Sequence, residues 1–144
     1  RSLLIGALQE RNDALRDADA EGLRAQVSAE FQSWPSALLH GPASAGRLRA
    51  EDPSAPQDLL DPISYHTIGH VRFDTLGRAL YLADYLEPGR RFSPVWCAAL
   101  RARMPSALDA VLQEVTAARI THALRKGAPL RPETVDFWNS QAGV

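Results

Sequence analysis

Cysteine is almost missing from this chain: Cys97 is the only one in 144 residues. A lone thiol excludes an intrachain disulfide framework and fits the reducing cytoplasm. No apolar run approaches the roughly 20 residues that span a bilayer as a helix, and no signal-peptide pattern opens the chain. An excess of positive charge is also lacking. The net charge is −1, whereas nucleic-acid binders are usually basic overall, so nucleic acid is not an expected partner, and the lack of a spanning run makes membrane an unexpected one. There is no glycine-rich phosphate loop of the Walker or Rossmann type. No segment alternates apolar and polar residues as a half-buried strand does, and β-branched runs are absent.

What is present is the composition of an ordinary globular domain, 45% apolar and 23% charged. The length is enough to bury a core without metal or disulfide staples. Proline divides the chain into short helices. Asp17 or Asp19 can cap a helix carrying Leu23, Val27 and Phe31 at steps of four, ending before Trp34-Pro35. Pro42 can open "PASAGRLRAED" as a first-turn proline. Asp61-Pro62 reads as N-cap and first residue of a helix running toward His66. Asp74 or Thr75 caps "LGRALYLADYLE", which stops at Pro88-Gly89. Ser93-Pro94 starts "VWCAALRAR". A longer helix follows from about Ser106, with Leu108, Leu112 and Val115 on one face, closed by Lys126-Gly127. Pro132 begins the last, in which Phe137 and Trp138 anchor it to the core. The expectation is an all-α protein forming one domain over residues 1–144, with Cys97 in the core.

Three residues stand out chemically. His40 in "ALLHGPASA", His66 in "SYHT" and Asp84 in "LADYLEP" each lie near a helix end or on an apolar stripe. Leu76, Leu80 and Asp84 follow at steps of four, so a carboxylate shares an inward face, where it needs a cation, hydrogen-bond donors or a metal. Two imidazoles and a carboxylate suit iron, manganese or zinc better than magnesium or calcium. The same residues also serve structural ends: a histidine hydrogen-bonded in the core, an aspartate paired with an arginine or capping a neighbouring helix. His66 and His70 are four apart, but Gly69 between them points to a helix ending there, which leaves His70 closer to a substrate-phosphate role. Arg72, Arg78, Arg90 and Arg91 flank the Asp84 helix and could face an anion.

Taken in order, "ALLHGPASA", "SYHT.G", "ALYLADYLEPGRRF" and "RKGAPLRPETVDFWN" resemble the YqeK-type HD-domain proteins, over roughly residues 13 to 140. Members of that family are symmetrical diadenosine tetraphosphate hydrolases within the helical HD metallophosphohydrolases. The resemblance implies a helical HD bundle lacking part of its N-terminal metal-binding region. It also implies a centre of two transition-metal ions, iron first with manganese or zinc as alternatives, and cleavage of diadenosine tetraphosphate to two ADP. Carried over residue by residue, it makes His40, His66, Asp84 and Asp13 metal ligands, with Asp13, His66 and Asp84 catalytic. Arg90, His70 and Arg72 are the candidate substrate-binding set from their positions and chemistry. A homodimer would suit a small enzyme of this kind.

The chain departs from the family pattern at its start. "NDALRDA" stands where the family's His-Asp dyad segment reads like "HDYAKDL", so Asn12 replaces the dyad histidine, and the first-helix histidine has no counterpart. Asparagine is a poor ligand for metals that imidazole suits. Arg1 opens inside an apolar run without a methionine. The expectation is that sequence precedes Arg1 in the full protein and that some is missing near residues 8 to 13. The alternative is a degenerate, non-catalytic HD-fold module that binds nucleotides or other proteins.

Overall fold

The computed structural model describes residues 20–89 and 92–143, so Asn12, Asp13, Arg90 and Arg91 lie outside the described residues. In chain order the helices are α1 (Ala20–Arg24), α2 (His40–Glu51), α3 (Gln57–Tyr65), α4 (Thr75–Tyr85), α5 (Pro94–Ala102), α6 (Leu108–Arg125) and α7 (Pro132–Ala142). No strand occurs among the described residues, as the missing alternation implied. None of the described helices is long and apolar enough to cross a membrane. The chain divides into two compact units, with the boundary between Thr67 and Ile68.

In the first unit, the helix expected through Leu23, Val27 and Phe31 is interrupted. α1 ends at Arg24, and Phe31 closes a separate 3-10 turn over Ala29–Phe31. The break is held by long-range side-chain bonds. Gln32 Nε2 donates to the carbonyls of Arg24 and Val27, both at 2.9 Å, and Arg24 Nη1 donates to the Trp34 carbonyl at 3.1 Å. All three apolar residues are nonetheless buried, because the turn returns Phe31 to the core, where its ring meets Trp34 edge-on at 4.9 Å.

Two helix starts also differ from the sequence expectation. α2 begins at His40, so Pro42 occupies the third position of the first turn, where its missing N–H has no intrahelical duty. α3 begins at Gln57, and Asp61-Pro62 is helix interior rather than helix start. Proline inside a helix forfeits one backbone bond. Here Pro62 is buried beside Leu60 and Ile63, and burial outweighs the local signal.

In the second unit most local signals hold, although the helix expected to stop at Pro88-Gly89 already ends at Tyr85. The Asp74 carboxylate accepts from the Gly77 N–H at 3.1 Å and caps α4. Ser93-Pro94 opens α5, Pro132 opens α7, and Cys97 is buried. α6 closes at Lys126, with Gly127 at φ +66°. The Ala128 N–H returns to the Ala123 carbonyl and that of Gly127 to Leu124, the paired bonds of a Schellman ending. Gly69, at φ +82°, turns the chain where an added Cβ would meet the Phe137 ring. Phe137 in turn packs edge-on against Phe73 and Tyr81, each at 5.4 Å.

Candidate functional site

The first unit brings two of the candidate ligands together. His40 is the first residue of α2 and His66 follows the end of α3. Their rings lie 5.3 Å apart, edge to face. His66 is fully buried and His40 is 5% exposed. Each ring uses Nδ1 in the same local way: His66 Nδ1 donates to the Ile63 carbonyl at 2.7 Å, and His40 Nδ1 donates to the Ala37 carbonyl at 3.2 Å. A carbonyl can only accept, so both rings carry a proton on Nδ1. His40 Nε2 lies 3.1 Å from the Thr67 hydroxyl.

Gly41 makes the close pairing of α2 and α3 possible. A Cβ there would come within 2.7 Å of the Ser64 carbonyl oxygen and 2.8 Å of the Ile63 carbonyl oxygen. The second of these is the acceptor for His66 Nδ1, so the glycine protects the orientation of that ring.

The second unit holds Asp84, 2% exposed on α4. Arg119 of α6 donates from Nη2 to Asp84 Oδ2 at 3.2 Å, so the arginine pairing open from the sequence is present. The guanidinium carbon of Arg119 lies 4.7 Å from the Tyr81 ring centre and 4.8 Å from that of Tyr85. Both distances are within cation–π range. Tyr85 is backed by Phe92 at 4.9 Å and Trp96 at 6.2 Å. Arg119 was not singled out from the sequence. The available signal was its place at a step of four beyond Val111 and Val115, a charge on an apolar stripe like Asp84 after Leu76 and Leu80.

Burial pushes the hydroxyl pKa of Tyr81 and of Tyr85 upward, with the charge of Arg119 partly opposing it. Below about pH 10 both tyrosines are protonated whether the chain is folded or not, and they add no pH dependence. Above that, the unfolded chain releases protons that the folded one keeps. Stability therefore falls as pH rises from the ordinary tyrosine value toward the raised one. Thermal melts between pH 9 and 11 are expected to show this decline, and a shallower one in Tyr81→Phe.

Of the expected substrate-binding residues, His70 is half-buried and accepts at Nδ1 from the Arg72 N–H at 3.1 Å, while Arg72 is exposed. Arg78 pairs with Asp109 at 2.8 Å on the surface.

Among the described residues, no three His, Cys, Asp or Glu side chains are grouped as a ready cation cage. The donor chemistry still fits a transition metal. Metal-binding imidazoles characteristically donate the second ring N–H to a backbone carbonyl or carboxylate, which fixes the tautomer, and His40 and His66 both do so.

No family profile matches the chain. It is 32% identical over 102 residues to a symmetrical bis(5'-nucleosyl)-tetraphosphatase of Halalkalibacterium halodurans, covering 71% of this chain and 54% of that protein. Proteins of the same name from Staphylococcus aureus and Bacillus subtilis are 26% and 28% identical, over 79% and 81% of this chain and 59% and 61% of theirs. The chain thus spans a little over half the length of the curated relatives it matches. A crystal structure from Clostridium acetobutylicum, described as a predicted HD superfamily hydrolase involved in NAD metabolism, superposes with a TM-score of 0.76 at 25% identity. That match covers 92% of this chain and 72% of the other.

Proposed function

From a chain that folds as an HD superfamily protein and is related to the YqeK-type symmetrical tetraphosphatases, we propose a metal-dependent phosphohydrolase that cleaves dinucleoside polyphosphates. Diadenosine tetraphosphate, giving two ADP, is the first substrate. The observation that carries this reading is the buried pair His40 and His66, their rings 5.3 Å apart and each fixed through Nδ1 by a backbone carbonyl. Imidazoles fixed in this way are suited to hold a transition metal, and the family resemblance puts iron before manganese or zinc.

His40, His66, Asp84 and Asp13 are the ligands the family resemblance assigns. When bound, two such ions polarise phosphoryl oxygens and activate water near neutral pH. The chain's own residues do the rest. His66 and Asp84, both buried, bring donor atoms of fixed direction at no further ordering cost. Arg90 and Arg72 supply positive charge for the polyphosphate, and His70 a hydrogen bond to it. The setting proposed is the cytoplasm, with neither membrane nor nucleic acid as partner and a homodimer as the assembly.

Asn12 favours a second reading, a decayed HD module that binds nucleotides without cleaving them. Incubation of the full-length protein with diadenosine tetraphosphate and Mn²⁺ or Fe²⁺, followed by chromatography of the products, separates the two. ADP alone supports the hydrolase. Bound but uncleaved dinucleotide supports the module.

A further inference from the structure

Arg119 is the partner of Asp84 in the second unit, and it is held more firmly than an ion pair requires. Its side chain is 19% exposed and that of Asp84 only 3%. The guanidinium is centred under 5 Å from the rings of both Tyr81 and Tyr85. Tyr81 is itself fixed by Phe137 at 5.4 Å, and Tyr85 by Phe92 at 4.9 Å. A guanidinium packed over two aromatic rings has fewer rotamers open to it than the exposed arginines that make poor positioners. The planar fork therefore offers Nη2 to Asp84 Oδ2 from one direction.

We propose that Arg119 is a positioning residue for Asp84, orienting the carboxylate through the bond to Oδ2 from a guanidinium held over the rings of Tyr81 and Tyr85. This rests on the assignment of Asp84 as a metal ligand and adds a residue that the family motifs did not supply. Carboxylates that bind metals are commonly oriented by hydrogen bonds from an outer partner, and loss of such a partner weakens metal binding roughly 10- to 100-fold. The tyrosine faces, negative at their centres, attract the guanidinium and help hold it in place.

The test is Mn²⁺ titration of the full protein and of Arg119→Met, Arg119→Lys, Asp84→Asn and the Asp84→Asn/Arg119→Met double variant. All are measured below their own melting temperatures. Arg119→Met should weaken Mn²⁺ binding by roughly 10- to 100-fold, and Arg119→Lys by less. The double variant should bind no worse than Asp84→Asn alone, since one residue acts through the other. Folded Arg119→Met with wild-type affinity, beside an Asp84→Asn that has lost it, rejects the positioning role and leaves the ligand assignment standing. Wild-type affinity in Asp84→Asn rejects both. Should Arg119→Met fail to fold, Arg119→Lys decides: unchanged affinity rejects the role, and weakened affinity that adds nothing to Asp84→Asn supports it.

Discussion

His66→Asn is expected to keep the helices and lose the metal. The asparagine amide nitrogen occupies nearly the place of Nδ1, so the 2.7 Å bond to the Ile63 carbonyl has a replacement donor, while the second ring nitrogen is gone. The fully buried position then retains a satisfied polar group, and the remaining stability cost is the smaller side-chain volume, about 1–2 kcal/mol. Activity should respond quite differently. Loss of a metal ligand removes several kcal/mol of electrostatic stabilisation from the transition state, a fall of at least ~100-fold in kcat/KM. Circular dichroism and elemental analysis on one sample check both halves. Full metal content in a folded His66→Asn protein would end the assignment of His66 as a ligand.

The second large effect lies one residue from a proposed ligand. Gly41→Ala places a methyl group 2.7–2.8 Å from two carbonyl oxygens of α3, and neither is the end of a flexible side chain. The helices must separate or the α3 backbone must shift. Overpacking of this kind costs about 1–3 kcal/mol. Since the Ile63 carbonyl is one of those displaced, metal binding should weaken along with stability. Gly22→Ala serves as a control, since a Cβ there meets nothing within 4 Å. Denaturant unfolding and Mn²⁺ titration of both variants test the contrast, and equal midpoints would show that α2 and α3 have room to spare.

The differing fates of the prolines and prospective caps show which parts of the fold could be read from sequence. Asp74, Ser93-Pro94, Lys126-Gly127 and Pro132 act within a few residues of themselves, and the structure follows them. Asp61-Pro62 carries the same kind of signal and misleads, because burial of Pro62 beside Leu60 and Ile63 is a tertiary fact. The interruption after Arg24 depends on Gln32 and Trp34, eight and ten residues away, and a periodic stripe conceals it. Leu23, Val27 and Phe31 are buried in either case, so the core could be read where the helix could not.

The site divides along similar lines. His40, His66 and Asp84 stood out as polar residues where apolar ones belong, and all three are buried. The carbonyl acceptors of the histidines lie three residues upstream, but nothing in the letters marks them as acceptors. Arg119 escaped notice because its partner is 35 positions earlier and "AARITHA" looks like an ordinary helix surface. Read together, the two stripes ending in a charge, Leu76-Leu80-Asp84 and Val111-Val115-Arg119, announce the pair. Only the fold shows that α4 and α6 face each other.

The most direct test is the metal content of the purified full-length protein, with ADP production from diadenosine tetraphosphate measured on the same preparation. About two transition-metal ions per chain, with ADP as the only product, are the outcome expected of an HD phosphohydrolase with a two-metal centre. A protein that stays metal-free after incubation with Fe²⁺ or Mn²⁺, and binds the dinucleotide without cleaving it, would contradict the hydrolase reading.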